Sequence, residues 1–156
     1  MANLAIRALC TAAVALAAAT PLFGQTAGCR FAAPTELDAR PSAWLGECRN
    51  GAADGLGVIR AGTREPYSFF AGRMAHGRPA NGLLLLQTGM MAAIRFDASG
   101  RVVSSDGLHP QQDEHIFAQA QNAARAVSAR FAKAGNPRSA TYYKQLARRI
   151  LVSQPE

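Results

Sequence analysis

Two histidines and two acidic residues stand close together in the sequence: His109, Asp113, Glu114 and His115. Imidazole and carboxylate groups can act together as an acid–base pair or bind a transition metal. Their spacing matches neither a zinc-protease helix nor another metal motif. The two acids also fall at the start of a predicted helix, where negative charge stabilises the helix dipole. We therefore predict no metal ligand and no catalytic residue in this cluster.

The serines and the histidine considered elsewhere in the sequence do not match a known catalytic motif. Ser104 and Ser105 lack the flanking glycines of a nucleophile elbow, and His76 adjoins a predicted turn. The sequence contains no phosphate-binding loop, dinucleotide fingerprint or paired-cysteine redox motif. It thus predicts a protein without catalysis of its own and without a cofactor. The alternative is an unrecognised small enzyme, which would need polar groups converging on a pocket near the histidine cluster described above.

The N-terminus has the form of a secretory signal peptide. Arg7 precedes an apolar run over residues 8–19, which is shorter than the roughly 20 residues that span a bilayer, and no other such stretch follows. We predict a signal peptide over residues 1–24, with cleavage after Ala19 or Ala27 as alternatives. The mature chain would be exported, to the periplasm or outside the cell, and would have no transmembrane segment.

Two cysteines remain after export, because Cys10 lies inside the apolar run. An even number of cysteines in an oxidising compartment predicts a disulfide, here between Cys29 and Cys48. It would close a loop of about 19 residues and stabilise the fold by about 3 kcal/mol. A competing interpretation treats residues 26–29 as a bacterial lipobox with lipid attached to Cys29, although Thr26 replaces the usual leucine.

Basic residues dominate the C-terminal part of the chain. The whole chain has a formal net charge of +7, from 17 lysines and arginines against 10 acids. The charged residues between Glu114 and Glu156 are all basic, namely Arg125, Arg130, Lys133, Arg138, Lys144, Arg148 and Arg149. Such a stretch can attract anionic phospholipids, cell-wall polymers or nucleic acid. The alternative is an ordinary solvated helix face.

Three β-hairpins are predicted after a lead-in segment over residues 25–40. Asn50-Gly51 is the strongest signal, because this pair favours the positive φ angles of a two-residue hairpin turn. The predicted strand pairs are 43–49 with 56–60, 67–74 with 83–86 through a turn at 76–81, and 90–96 with 101–104 through a turn at 97–100. Together they predict an antiparallel sheet of about six strands.

Two helices are predicted after the hairpins, over 111–134 and over 139–152, with Ser139 as N-cap of the second. Apolar residues recur every three or four positions at Ile116, Ala120, Ala123 or Ala124, Val127 and Phe131, and then at Tyr142 or Tyr143, Leu146 and Ile150. We predict a helical hairpin that covers one face or the open edge of the sheet. The fold class is α+β, with a lead-in and β portion over 25–107 and a basic helical tail over 108–156.

Two of the predicted hairpins share one spacing of aromatic and glycine residues. In the first, an aromatic is followed at offsets two, four, seven, eleven and thirteen by a glycine, a bulky residue and three more glycines. These positions are Trp44, Gly46, Cys48, Gly51, Gly55 and Gly57. The second copy keeps Phe70, Gly72, Met74 and Gly77, has Asn81 and Leu83 in place of the last glycines, and carries Gly82 one position out of register.

This spacing resembles that of the MORN repeat family. The resemblance implies a curved antiparallel sheet built of hairpins, used for protein contacts, for scaffolding and, by proposal, for binding anionic lipid. It implies no catalytic residues. Cys48 stands where the family usually has an aromatic residue, which fits a disulfide from Cys29 that ties the lead-in segment to the first hairpin.

Aromatic residues in and beside the hairpins are candidates for a binding surface. They are Trp44, Tyr67, Phe69 and Phe70. Because residues alternate between the two faces of a strand, Phe69 and Phe70 must point to opposite sides. Either one ring is exposed beside arginines and binds a peptide, a glycan or an acidic polymer, or the rings pack in the core. The candidate binding face comprises Arg64, Arg73, Arg78, Arg148 and Arg149.

These observations predict an exported binding or scaffolding module of MORN type, whose partner is a protein or an anionic envelope component. A second hypothesis is an accessory protein that docks on an anionic envelope surface, lipid or cell-wall polymer, through its arginine-rich tail. Binding through surface charge weakens steeply as salt is added, which separates the second hypothesis from the first.

Overall fold

The computed structural model describes residues 28–38, 40–106 and 108–154. Within them an antiparallel sheet of meandering strands is followed by a two-helix hairpin. The predicted α+β class is thereby confirmed. The predicted signal peptide over 1–24, with its alternative cleavage sites, lies outside the described residues.

The strands are β1 (Ser42–Trp44), β2 (Glu47–Arg49), β3 (Ala52–Ala61), β4 (Ser68–Ala75), β5 (Arg78–Leu86), β6 (Gly89–Ala93), β7 (Arg95–Phe96) and β8 (Val102–Val103). The main sheet has six strands in the order β1-β3-β4-β5-β6, and β2 pairs with the other end of β3. The separate pair β7 and β8 forms a second small sheet. The third predicted hairpin is therefore wrong in one respect, because β6 pairs back onto β5 and the turn at 97–100 joins strands outside the main sheet.

The turns of the first two hairpins are two-residue turns with positive φ angles at both positions. Asn50 and Gly51 have φ angles of 51° and 73°, as expected for a two-residue turn with positive φ at both positions. His76 and Gly77 repeat this geometry with φ angles of 49° and 83°. The turn predicted over 76–81 is therefore too long, since β5 begins directly afterwards at Arg78.

The helices are α1 (Pro110–Lys133) and α2 (Pro137–Val152), which pack against each other as a hairpin. The predicted N-cap of the second helix, Ser139, is wrong. Asn136 is the N-cap, and its side-chain oxygen accepts the backbone N–H of Ser139 at 3.0 Å. Pro137 then occupies the first helical turn, where its missing N–H leaves no bond unmade.

The two faces of the sheet are covered by different parts of the chain. The helices cover one face, over a core that includes Val58, Phe69, Ala71, Leu83, Ile116 and Leu146. The lead-in segment and the small sheet cover the other, over a core that includes Leu37, Trp44, Ile59, Phe70, Met74 and Leu84. Phe69 and Phe70 point to opposite faces as predicted, but both are buried, at 3% and 0% exposure. Of the two alternatives for these rings, core packing is confirmed and an exposed ring is excluded at both positions, because each face of the sheet has its own cover.

The lead-in segment is fixed to the first hairpin by a disulfide between Cys29 and Cys48, as predicted, with Cα atoms 5.7 Å apart. Beside it, the N–H of Arg30 donates to the carbonyl of Gly51 at 2.9 Å, and the N–H of Ala53 donates to the carbonyl of Arg30 at 3.0 Å. These bonds and the disulfide hold the segment in place over the second face of the sheet.

Candidate functional site

The histidine cluster does not converge on a site. The Nδ1 atom of His109 lies 3.3 Å from the Asp106 carboxylate, and Ser105 donates its hydroxyl to Asp113 at 2.9 Å. His115 is exposed on α1, and Asp113 lies in the first turn of that helix, as predicted. Within residues 28–38, 40–106 and 108–154, no three His, Cys, Asp or Glu side chains are grouped so that they could hold a metal ion.

The predicted binding face of five arginines is dispersed over three places. Arg73 lies on β4 and Arg78 at the start of β5, near the turn of the second hairpin. Arg64 lies in the connection between β3 and β4, at the opposite end of β4. Arg148 and Arg149 are neighbours on α2 but line two different depressions. All five are exposed, yet they form no single surface.

The first depression is a groove between α1 and α2, which we call the basic groove. It encloses about 320 Å³ and is lined by Arg125, Ser128, Ala129, Lys144, Ala147, Arg148 and Leu151. Residues four apart share a helix face, which brings Lys144 and Arg148 together on α2. Three of the lining residues are cationic, and none is acidic. Leu151 adds an apolar side chain that is 50% exposed.

The basic groove is built on a close contact of its two helices. The hydroxyl of Ser128 on α1 donates to the carbonyl of Ala140 on α2 at 2.7 Å. Small residues at Ala129 and Ala147 leave the space between the longer basic side chains open. The cations on either side are therefore held by two rigid elements rather than by a loop.

The second depression, which we call the tyrosine cleft, lies between the β3–β4 connection and α2. It encloses about 670 Å³ and is lined by Glu65, Pro66, Tyr67, Phe69, Tyr142, Gln145 and Arg149. The chain has three tyrosines, and all of them meet here, because the Tyr143 ring lies 5.3 Å from that of Tyr142.

No family model, curated protein or solved structure matches this chain. Its function must therefore be argued from the basic groove and the tyrosine cleft themselves. The MORN resemblance stays a prediction. In the part of the chain that the structure describes, neither helix has the length and apolar character needed to cross a bilayer.

Two of the tyrosines of the cleft, Tyr142 and Tyr143, have a raised pKa and are held in the protonated form. Burial raises the pKa of the Tyr142 hydroxyl above its ordinary value, the charge of Glu65 raises it further, and that of Arg149 partly offsets both. Burial raises the pKa of Tyr143 to about 12, although the nearby Arg60 guanidinium opposes the shift. Both side chains therefore remain hydrogen-bond donors throughout the neutral pH range.

Part of each depression was not predicted from the sequence. Arg148 and Arg149 were predicted as binding residues, but Arg125 and Lys144 were not predicted to lie beside Arg148. The four-residue spacing of Lys144 and Arg148 was a visible signal for a shared helix face. The meeting of Tyr67 with Tyr142 left no signal in the sequence, because it depends on how α2 packs beside β4.

Proposed function

We propose that this protein is an exported binding module, MORN-like in its β portion and without catalysis of its own, that docks on anionic phospholipid through the basic groove. The observation that carries the proposal is the set of three cations, contributed by two helices and accompanied by no acid among the residues that line the groove. The disulfide between Cys29 and Cys48 supports export to an oxidising compartment such as the periplasm.

The helices suit docking better than the sheet. A scaffold that binds partners on a sheet needs an open face, whereas both faces here are covered by the chain's own residues. The basic groove lies on the solvent side of the helical hairpin and needs no rearrangement to meet a partner. This favours the anionic-surface hypothesis over protein contacts made by the hairpins.

Apolar residues beside the basic groove favour lipid over a polymer. Leu151 and Val152, at the end of α2, are 50% and 81% exposed. Phosphate headgroups would contact the cations, while these two side chains would enter the boundary between headgroups and acyl chains. A cell-wall polymer would use the charges but leave the apolar side chains in water.

The test is sedimentation with vesicles of phosphatidylglycerol, with phosphatidylcholine vesicles for comparison. Replacing Arg125, Lys144 and Arg148 together by glutamine should weaken binding about 100-fold, since each basic residue at an anionic membrane contributes about 1 kcal/mol. The matched control replaces Arg73, Arg78 and Arg95 by glutamine, which changes the net charge equally but leaves the groove intact. Its affinity should stay within about threefold of the unmodified protein.

Three results would contradict the proposal. Equal weakening in both triple variants would mean that net charge alone attracts the protein. Equal binding to the two kinds of vesicle would exclude recognition of anionic headgroups. Binding to an anionic cell-wall polymer such as teichoic acid, without binding to vesicles, would assign the basic groove to a polymer.

A further inference from the structure

The tyrosine cleft is a second surface with a composition unlike that of the basic groove. Its floor is the buried ring of Phe69, and its walls are the half-buried rings of Tyr67 and Tyr142. The Phe69 ring lies 6.2 Å from Tyr67 and 6.3 Å from Tyr142, so the three rings are in contact across the cleft. The space between them therefore has apolar surfaces on several sides.

Both walls of the cleft are supported from behind. The Arg60 guanidinium lies over the Tyr67 ring, 4.9 Å from its centre, and thus fixes the ring from the sheet side. On the helix side, Tyr142 contacts Tyr143, whose ring stacks on Phe131 with centres 5.4 Å apart. A ligand would therefore enter a site whose rings are already ordered, which lowers the entropic cost of binding.

The connection that carries Glu65 is also tied down. The side-chain amide of Gln87 donates to the carbonyl of Pro66 at 3.1 Å, and the N–H of Gly62 donates to the carbonyl of Pro41 at 2.9 Å. These two bonds anchor the segment at both ends. The carboxylate at the rim is therefore carried by a segment with fixed ends.

Polar groups at the rim of the cleft point to the chemistry of its ligand. In the described part of the chain, neither Glu65 nor Arg149 has an oppositely charged partner within 4.0 Å. A carboxylate only accepts hydrogen bonds, a guanidinium only donates them, and the amide of Gln145 does both. A ligand that satisfies all three must carry donors and acceptors close together around an apolar face.

We propose that the tyrosine cleft binds a neutral sugar ring, as one unit of a glycan. A sugar ring has an apolar C–H face that can lie on Tyr67 or Tyr142, and hydroxyls at its edge that both donate and accept. The opposite charges of Glu65 and Arg149 cancel, so the cleft offers no net attraction for an anion. A ligand pocket of several hundred Å³ with aromatic walls and few polar groups has the usual character of a small-molecule site.

The test is an NMR titration of the disulfide-bonded protein with three neutral oligosaccharides: N-acetylchitotetraose, cellotetraose and maltotetraose. At least one should give saturable shifts at Tyr67, Tyr142 and Gln145. Because the ligand is uncharged, its Kd should change by less than about twofold between about 50 and 500 mM salt. This distinguishes the cleft from the basic groove, whose binding should fall steeply over the same range.

Two variants assign the binding to the cleft. Tyr142→Ala should raise the Kd about tenfold through loss of one wall. Because Tyr142 also contacts the core, Glu65→Gln provides a second test at an exposed residue. It should raise the Kd about threefold with no change in melting temperature. Arg148→Gln, in the basic groove, is the control and should leave sugar binding unchanged.

The proposal is overturned if none of the three oligosaccharides produces saturable shifts at these residues. It is also overturned if glycylglycine, a zwitterion, shifts them with strong salt dependence, since the cleft would then bind opposite charges rather than hydroxyls. Vesicle binding by Tyr142→Ala separates the two proposals. It should be intact, because the basic groove is built from other residues.

Discussion

In each of the two glycine-spaced hairpins an aromatic ring packs over a glycine of the return strand, but the two return strands differ in the number of residues they insert. In the first, formed by β1, β2 and β3, the Trp44 ring lies over Gly57, where a Cβ atom would come within 2.6 Å of the ring. In the second, formed by β4 and β5, the Phe70 ring lies over Gly82, where a Cβ atom would come within 2.7 Å. In both hairpins an aromatic ring therefore lies where a side chain on the glycine would be, and at Gly82 backbone atoms of Ala71 and Gly72 are equally close.

The glycines of both hairpins form one row across the sheet. Gly57 is paired with Gly72, and Gly72 with Gly82. Gly46 extends the row, because a Cβ atom on Gly57 would lie 2.7 Å from its Cα. The row makes a shallow channel in the face of the sheet, and the two large rings fill it.

The hairpins differ in how many residues the return strand inserts. Between the pairs Trp44↔Ile59 and Glu47↔Asp54, the first hairpin has two extra residues on β3. Between Arg73↔Asn81 and Met74↔Pro79, the second has one extra residue on β5. Gly82 comes one position earlier in its copy than Gly57 does, and the smaller bulge compensates. A glycine that looks displaced in the sequence is therefore in register in the fold.

The hairpins also differ in their surroundings. The residue four positions after the aromatic is Cys48 in the first copy and Met74 in the second. Cys48 is exposed on β2, which among the described strands pairs with β3 alone, and it is held by the disulfide to Cys29. Met74 is 1% exposed and packs in the core, on a strand that has neighbours on both sides. The edge copy is fixed by a covalent bond and the central copy by burial.

The largest difference in stability between the two hairpins should appear when the aromatic ring of each is removed. Phe70→Ala should lower the free energy of unfolding by about 4 kcal/mol and Trp44→Ala by about 3 kcal/mol, because each leaves a cavity over the glycine row. The central position should cost more, since Phe70 is enclosed by neighbours from both strands and by the Phe96 ring at 5.7 Å. Urea unfolding measures both values.

An equal or larger loss for Trp44→Ala would contradict the view that the edge copy depends less on its ring. The Trp44 indole N–H also donates to the carbonyl of Glu47 at 2.9 Å. Trp44→Phe removes this bond together with the ring atoms beside Gly57, and should cost about 2 kcal/mol, less than Trp44→Ala, which removes the whole ring.

Local signals in the sequence predicted most of the elements. The Asn50-Gly51 turn and the apolar spacing of α1 depend on residues a few positions apart, so they could be identified without the fold. The predicted N-cap of α2 was Ser139 and the observed one is Asn136. The two could not be distinguished from the sequence, since both residue types are favoured at an N-cap. The pairing of β6 with β5 and the bulge beside Met74 depend on neighbouring strands, and no local pattern specifies them.

The candidate sites were less predictable than the fold. Arg148 and Arg149 are adjacent in the sequence, yet on a helix they point in different directions and belong to different depressions. The cover over Phe70 comes from the small sheet, through Phe96, and from the lead-in segment, whose sequence shows no regular period. A site formed by segments that are distant in the sequence can be predicted only if the packing of those segments is known. Composition and residue spacing do not specify that packing.

The disulfide gives the next largest effect and concerns the first hairpin alone. Cys29→Ser and Cys48→Ser should each lower the free energy of unfolding by about 3 kcal/mol, from the loss of a closed loop in the unfolded chain. The double variant should lose no more than either single one, because both remove the same bond. Chemical denaturation with and without reductant measures the three variants.

Met74→Ala is the matched control in the second hairpin. It should lower the free energy of unfolding by a similar amount, about 3 kcal/mol, through a core cavity. Its loss should add to that of reduction, whereas Cys48→Ser should be insensitive to reductant. Strongly unequal losses in the two cysteine variants would show that one serine has an effect beyond the missing bond.

The smallest effect should come from adding one methyl group to the glycine row. Gly57→Ala and Gly82→Ala should each lower the free energy of unfolding by about 2 kcal/mol through overpacking. Their causes differ, however. At Gly57, two of the three atoms nearest an added Cβ belong to the Trp44 ring, whereas at Gly82 two of the three are backbone atoms of Ala71 and Gly72.

A smaller side chain at the aromatic position should therefore rescue only the first hairpin. In a double-mutant cycle, Trp44→Phe should recover about 1 kcal/mol of the loss caused by Gly57→Ala, because the displaced ring atoms are no longer there. Phe70→Leu should recover almost nothing of the loss caused by Gly82→Ala, since backbone cannot withdraw. Equal rescue in both hairpins would mean that the ring, rather than the close approach of strands, requires a glycine in each.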